Sequence, residues 1–180
     1  MTAPARSLRL VGQAEYRDEA EALLNGPGDA ALVVRGRIRS VVMACPDGCG
    51  ETLVVNLDPR ADKAWRLDTR GEGVTLYPSV WRDGGCESHF VVWRGVLIWC
   101  DRFTSGNIEP RYDPDIEKRV LAGMDATIPL TAEAIADAID EIFWDVSRAA
   151  NRLVGKGLAR SWKQDGTWYF LRADGEDEGG

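Results

Sequence analysis

The stretch HFVVWRGVLIWC, residues 89–100, decides how this chain is read. HFVVW and VLIWC are short runs of β-branched and aromatic residues joined at Arg94-Gly95, which predicts a β-hairpin. The stretches before it repeat the pattern. AALVVRG and RIRSVVMAC read as two strands joined at Gly36, and ETLVVNL as a third, ended by Asp58-Pro59. AWRLD and GVTLY follow on either side of the turn residues TRGEG. Residues 30–103 are therefore expected to form a small, mainly antiparallel β domain. Ahead of them, AEYRDEAEALL (residues 14–24) reads as an amphipathic helix stopped by GPGD, so residues 1–29 are expected as a helical extension.

After the turn-rich stretch TSGNIEPRYD the pattern changes. DPDIEKRVLAGM places Pro114 near a helix start, TAEAIADAID opens at Thr131 as an N-cap, and DVSRAANRLVGKGLA reads as a third helix capped by Asp145. RSWKQDGTWYFLR reads as two strands around Asp165-Gly166. Three helices and a β-wing predict a winged helix-turn-helix-like domain over residues 112–173. The fold class expected is α+β: a zinc-binding β domain followed by a winged-helix-like one. Residues 174–180, DGEDEGG, read as a disordered acidic tail, and their composition favours a solvated tail over the diglycine end of a modifier.

The chain has 180 residues, 44% of them hydrophobic, and a formal net charge of −7. That composition supports a packed core and argues against a general nucleic-acid binder. No run of eighteen apolar residues marks a membrane span, and the first residues lack the apolar segment of a signal peptide, so a cytoplasmic protein is expected. In a reducing compartment clustered cysteines are metal ligands more often than disulfides.

The β domain holds all four cysteines and the single histidine of the chain. Cys45 and Cys49 form a C-x-x-x-C turn with Pro46 and Gly48 between them, and Cys86-x-x-His89 supplies a second pair. Two such half-sites predict a structural zinc. Two ligand sets compete on spacing: three cysteines with His89, or Cys45, Cys49, Cys86 and Cys100 with His89 outside. Four thiolates suffice for a closed tetrahedral site, which favours the second set and leaves His89 free as a base. Ser88 adjoins His89, but neighbouring residues on a strand point to opposite faces, whereas Ser79 can approach across the sheet. Ser79 is thus the expected nucleophile. Of the local carboxylates Glu51, Glu87 and Asp101, Glu51 is the first choice to orient the base.

The run MACPDGCGETLVVNLDP … AWRLD … GVTLYPSVWRDGGCESHFVVWRGVLIWCD resembles a bacterial family of predicted peptidases from ubiquitination-like (Bub) operons. The likeness covers roughly residues 30 to 101, and the cysteine turn and the GCESHF block are its specific parts. It implies a small zinc-stabilised fold and a serine-type hydrolase that trims a ubiquitin-like protein or removes it from conjugates. E1- and E2-like conjugation proteins become candidate partners. No H-E-x-x-H metalloprotease motif is present.

The stretch TAEAIADAI…DVSRAANRLVGKGLARS…DGTWYFL is similar to many bacterial regulators whose third helix enters the major groove. Arg148, Arg152, Lys156 and Arg160 recur every four residues as one basic stripe, opposite a core stripe of Val146, Ala149, Leu153 and Val154. Residues 114–173 nevertheless hold eight basic and nine acidic residues, so DNA is a candidate partner but not the favoured one. A non-enzymatic zinc-binding regulator or an adaptor of the conjugation pathway is the alternative to the hydrolase.

Overall fold

The computed structural model describes residues 3–173, so the acidic tail at 174–180 lies outside the described residues. The chain divides into two units, Met1–Pro110 and Arg111–Gly180. The whole is α+β with mostly antiparallel sheets.

In the first unit, strands β1 (Arg9–Ala14), β2 (Asp29–Val34), β3 (Ile38–Ala44) and β4 (Thr52–Asn56) form one sheet in that order. β1 runs parallel to β2, and the other pairs are antiparallel. Strands β5 (Arg66–Asp68), β6 (Thr75–Trp81), β7 (His89–Trp93) and β8 (Val96–Trp99) form a second, antiparallel sheet in sequence order. The ends of the two sheets are stitched together. Leu8 donates its N–H to Gly95 O at 2.8 Å and Leu97 donates to Arg6 O at 3.0 Å, just before the chain enters β1. Trp65 donates to Asn56 O at 2.8 Å, just before the chain enters β5.

The strands alternate as their pleat requires. Leu32, Val41, Met43 and Val55 from the first sheet meet Leu76, Phe90, Val92, Leu97 and Trp99 from the second in one buried cluster. β2 is buried on both faces, because Ala31 and Val33 pack on the other side against Ala20 of helix α1 (Arg17–Glu21). The AALVVRG and RIRSVVMAC strands do meet around Gly36, whose φ of +68° favours glycine.

Two expected local features are corrected. The helix expected over residues 14–24 is only Arg17–Glu21, and Arg9–Ala14 is a strand whose parallel partner lies twenty residues on. Residues 3–29 are thus woven into the first unit rather than standing apart as a helical extension. The strand read as GVTLY also runs on through Pro78 to Trp81, which puts Ser79 on a strand.

The second unit holds helices α2 (Ile116–Gly123), α3 (Ala132–Ile139) and α4 (Phe143–Gly155) and a three-stranded antiparallel sheet. The strands are β9 (Leu130–Thr131), β10 (Ala159–Gln164) and β11 (Thr167–Arg172), ordered β10-β11-β9. Thr131 caps α3 as expected, accepting from the Ala134 N–H at 3.1 Å. α4 opens earlier than expected, so Asp145 sits in its first turn rather than at its cap. Val146, Ala149 and Leu153 of α4 pack with Ile116, Val120, Ile135 and Phe170.

Candidate active site and thiol cluster

The site grows from the β6–β7 hairpin. Its register sets Val80 opposite Phe90 and Trp81 opposite His89. Residues directly opposite share a face, as do residues two apart on one strand, so Ser79, Trp81 and His89 present one surface. The other surface is the core, where Val80 and Phe90 are buried. β7 pairs in turn with β8, and Cys100 donates its N–H to His89 O at 3.0 Å, which ends the ladder at His89. Asp101 follows immediately.

These placements bring three side chains into line. His89 Nε2 lies 3.0 Å from Ser79 Oγ. His89 Nδ1 lies 3.2 Å from Asp101 Oδ2. A carboxylate at Nδ1 holds the proton there and leaves Nε2 to accept from the serine hydroxyl. Trp81 packs beside the imidazole, with ring centroids 6.1 Å apart, and is itself 66% exposed. A cleft of about 430 Å³ opens alongside, with Trp81, Arg82, Gly84, Glu87 and Asp101 in its walls.

The Glu51 carboxylate pairs with the Arg82 guanidinium. The carboxylate beside His89 is Asp101, and the hairpin itself carried the signal for it: a turn at Arg94-Gly95 pairs His89 with Cys100 and so sets Asp101 at hand. Ser88 is buried and turned the other way, with its Oγ 3.6 Å from Cys45 Sγ.

That opposite face holds the cysteines. Cys45 follows β3 directly, and the turn there closes with Gly48 donating to Cys45 O at 3.0 Å and Cys45 donating to Glu51 O at 2.8 Å. Gly48 and Gly50 take φ of +85° and +88°, which lets this turn fold so tightly. The β6–β7 loop brings Cys86 to it. The sulfurs of Cys45, Cys49 and Cys86 all lie within 4.8 Å of one another. Cys45 Sγ and Cys86 Sγ are 3.6 Å apart, far beyond a disulfide bond of about 2.05 Å. Two thiolates at about 2.3 Å from one tetrahedral metal ion stand roughly 3.8 Å apart, so the spacing suits a shared metal.

The cluster is electrostatically graded. Burial pushes the Cys45 thiol up to about 12. Burial also works against the Cys86 thiolate, but hydrogen bonds from the Ser88 side chain and backbone and from the neighbouring thiols bring it down to about 7. Arg82 Nη1 stands 3.7 Å from both Cys49 Sγ and Cys86 Sγ. Cys100 is not in the group. It is exposed and lies across from His89, so the four-cysteine set narrows to three, and His89 is outside that set as well. Burial and the Asp101 charge push the Cys100 thiol up.

Of the expected basic stripe, Arg148 and Arg152 on α4 and Lys156 at its end are engaged within the second unit, whereas Arg160 falls on β10 and leaves the stripe. Glu117 accepts from Tyr112 Oη at 2.6 Å and Arg152 Nε at 3.3 Å and pairs with Lys156. The Arg148 and Arg152 guanidinium carbons stand 4.7 and 4.4 Å from the centroid of the Tyr112 ring.

No helix among the described residues is long and apolar enough to cross a membrane. No curated protein and no solved structure gives a match to the chain. Residues 16–100 match the family model of the bacterial ubiquitination-like system serine protease (BubE), so over that region the resemblance carried by the cysteine turn and the GCESHF block holds; the match stops one residue short of Asp101.

Proposed function

Because residues 16–100 match the family model of a bacterial ubiquitination-like system serine protease, we propose that the chain is a serine hydrolase using Ser79, His89 and Asp101. The observation that carries this is the line from Asp101 Oδ2 through His89 to Ser79 Oγ, at 3.2 and 3.0 Å. Ser79 Oγ attacks the scissile carbonyl carbon while His89 Nε2 takes its proton, and the carbonyl oxygen becomes the tetrahedral oxyanion. The intermediate collapses, the bond to the leaving amine breaks, and His89 returns the proton to that amine. Water, deprotonated by His89, then cleaves the acyl-serine ester. Asp101 holds the Nδ1 proton and stabilises the imidazolium in both halves. A fluorophosphonate probe tests the assignment: it should label the wild-type chain at Ser79 and fail on Ser79→Ala.

The substrate we propose is a ubiquitin-like protein or its conjugates, in keeping with the family's ubiquitination-like system. Cys45, Cys49 and Cys86 would hold a structural zinc, supplying three of its four positions. The ion would cross-link the β3–β4 turn to the loop between Ser79 and His89. No step of the reaction runs through it. The order of helix, short strand, two helices and hairpin in the second unit is that of a winged helix. The engagement of Arg148, Arg152 and Lys156 with Glu117 and Tyr112 supports a role in docking protein rather than DNA.

A further inference from the structure

Backbone groups along a strand alternate between its two edges. Arg82 donates its N–H to Ser88 O at 3.0 Å, and Val80 lies opposite Phe90. Residues 80 and 82 therefore turn their peptide groups toward β7, while Ser79 and Trp81 turn theirs to the opposite edge. Along the first part of β6 that edge is covered, because Thr75, Leu76 and Tyr77 pair with Asp68, Leu67 and Arg66 of β5. β5 reaches no further, and among the described residues no other strand flanks β6 on that side. The Ser79 carbonyl is capped by the Trp65 indole N–H at 3.2 Å. The N–H and C=O of Trp81 come next, beyond the end of β5, beside His89 and on the rim of the 430 Å³ cleft.

We propose that this edge is the substrate subsite: it takes an extended polypeptide segment as an added β-strand that exchanges backbone hydrogen bonds with Trp81. Two residues on one strand are roughly 7 Å apart, so a chain paired at Trp81 carries a peptide bond one residue pair further on, to Ser79 Oγ. The same alternation turns one substrate side chain toward the cleft walled by Trp81, Gly84, Glu87 and Asp101. The occupant is thus an unfolded or terminal stretch of a protein, recognised through its main chain. A single-residue ester is too short to reach Trp81.

The inference rests on Ser79 as nucleophile, and its test separates the two. Mixed-sequence peptidyl diphenyl phosphonates of one and of four residues label the serine as its Oγ bonds to phosphorus and a phenoxide leaves with the proton passed through His89. The four-residue probe should label Ser79 at least tenfold faster than the single-residue probe. N-methylating the probe nitrogen that donates to Trp81 O should remove that advantage. Trp81→Pro deletes the outward N–H without deleting a bond to β7 and should bring the ratio of the two rates close to one. Trp81→Ala keeps the N–H and should retain most of the ratio. A ratio near one in the wild-type chain, or one indifferent to N-methylation, overturns the edge subsite even where Ser79 labels well. Failure of every probe to label Ser79 overturns the hydrolase reading itself and the subsite with it. Because N-methylation alters only the probe, the result does not depend on the proline variant folding.

Discussion

Two polar clusters in this chain are each built on a carboxylate and put it to opposite ends. Ser79, His89 and Asp101 sit on the outer face of a hairpin, and Asp101 is 57% exposed at its side chain. Tyr112, Arg152 and Lys156 surround the carboxylate of Glu117, whose side chain is only 10% exposed. In the second cluster the carboxylate is saturated by three donors from other elements, so its hydrogen bonds are spent on holding helices together. In the first, His89 bridges Ser79 and Asp101, and Asp101 also lines a cleft. A saturated cluster stabilises a fold, whereas an unsaturated one at the surface is available for chemistry. Substitutions should therefore cost reaction rate in the first unit and stability in the second.

The widest separation is expected at the serine and histidine. Ser79→Ala and His89→Ala should each lower hydrolysis of a ubiquitin-like fusion by on the order of 10⁴ to 10⁶, with little further loss in the double variant, because nucleophile and base act as a unit. Melting temperatures should stay within a few degrees of the parent. A double variant whose loss equals the product of the single losses would break the comparison at its root. The next effect is at the carboxylate. Asp101→Asn should cost roughly 10² to 10⁴ in kcat through the wrong tautomer. Glu51→Gln, which loosens only the Arg82 pair, should cost less than about threefold. The reverse order in initial-rate assays would return the orienting role to Glu51.

How far this could be read in advance depended on whether the partners were local. The 89–100 hairpin has its turn, its alternation and its register within twelve residues, and Ser79 and His89 lie one hairpin apart. Asp101 was one of three nearby carboxylates, and only the register ranks it above Glu51. The cysteine turn was legible, but which distant cysteine joins it depends on where the β6–β7 loop lands, and it delivers Cys86 and not Cys100. Residues 9–14 escaped because their strand identity comes from parallel pairing with β2 rather than from their own pattern. The basic stripe on α4 was plain at its four-residue spacing, yet its partners Tyr112 and Glu117 lie some forty residues back.

The thiol cluster stands between the extremes, since it gathers the turn after β3 and the loop that separates Ser79 from His89. Purified protein should carry close to one equivalent of zinc by elemental analysis. Cys45→Ala or Cys86→Ala should lose it and destabilise the first unit by several kcal/mol, because binding energy at such a site is also folding energy. Cys100→Ala should keep the metal. Zinc lost from Cys100→Ala as well as from Cys45→Ala would restore the four-cysteine set.

The smallest expected effect is at Glu117 and sharpens the other half of the comparison. Hydrogen bonds from Lys156 and Tyr112 lead the causes that hold its carboxyl down to about 2, with a further one from Arg152, against the opposing effect of burial. Its folded value is thus depressed below the ordinary glutamate value near 4.3. A group shifted in this direction stabilises the folded unit above its unfolded value. As pH falls from about 4.3 toward 2, the unfolded chain takes up the proton and the folded one does not, so that stabilisation is progressively lost. Hydrogen exchange on the amides of α2 and α4 should show their protection falling across that window. Glu117→Gln should cost on the order of 1–2 kcal/mol at neutral pH, since Arg152 and Lys156 are half exposed and solvent screens their pairs. The variant should also flatten the acid response of these helices, leaving the smaller part carried by Asp125, whose carboxyl the Thr127 and Ile128 N–H groups hold low. An unchanged acid response in Glu117→Gln would show that the cluster does not hold the second unit together. The contrast between the two clusters would then collapse.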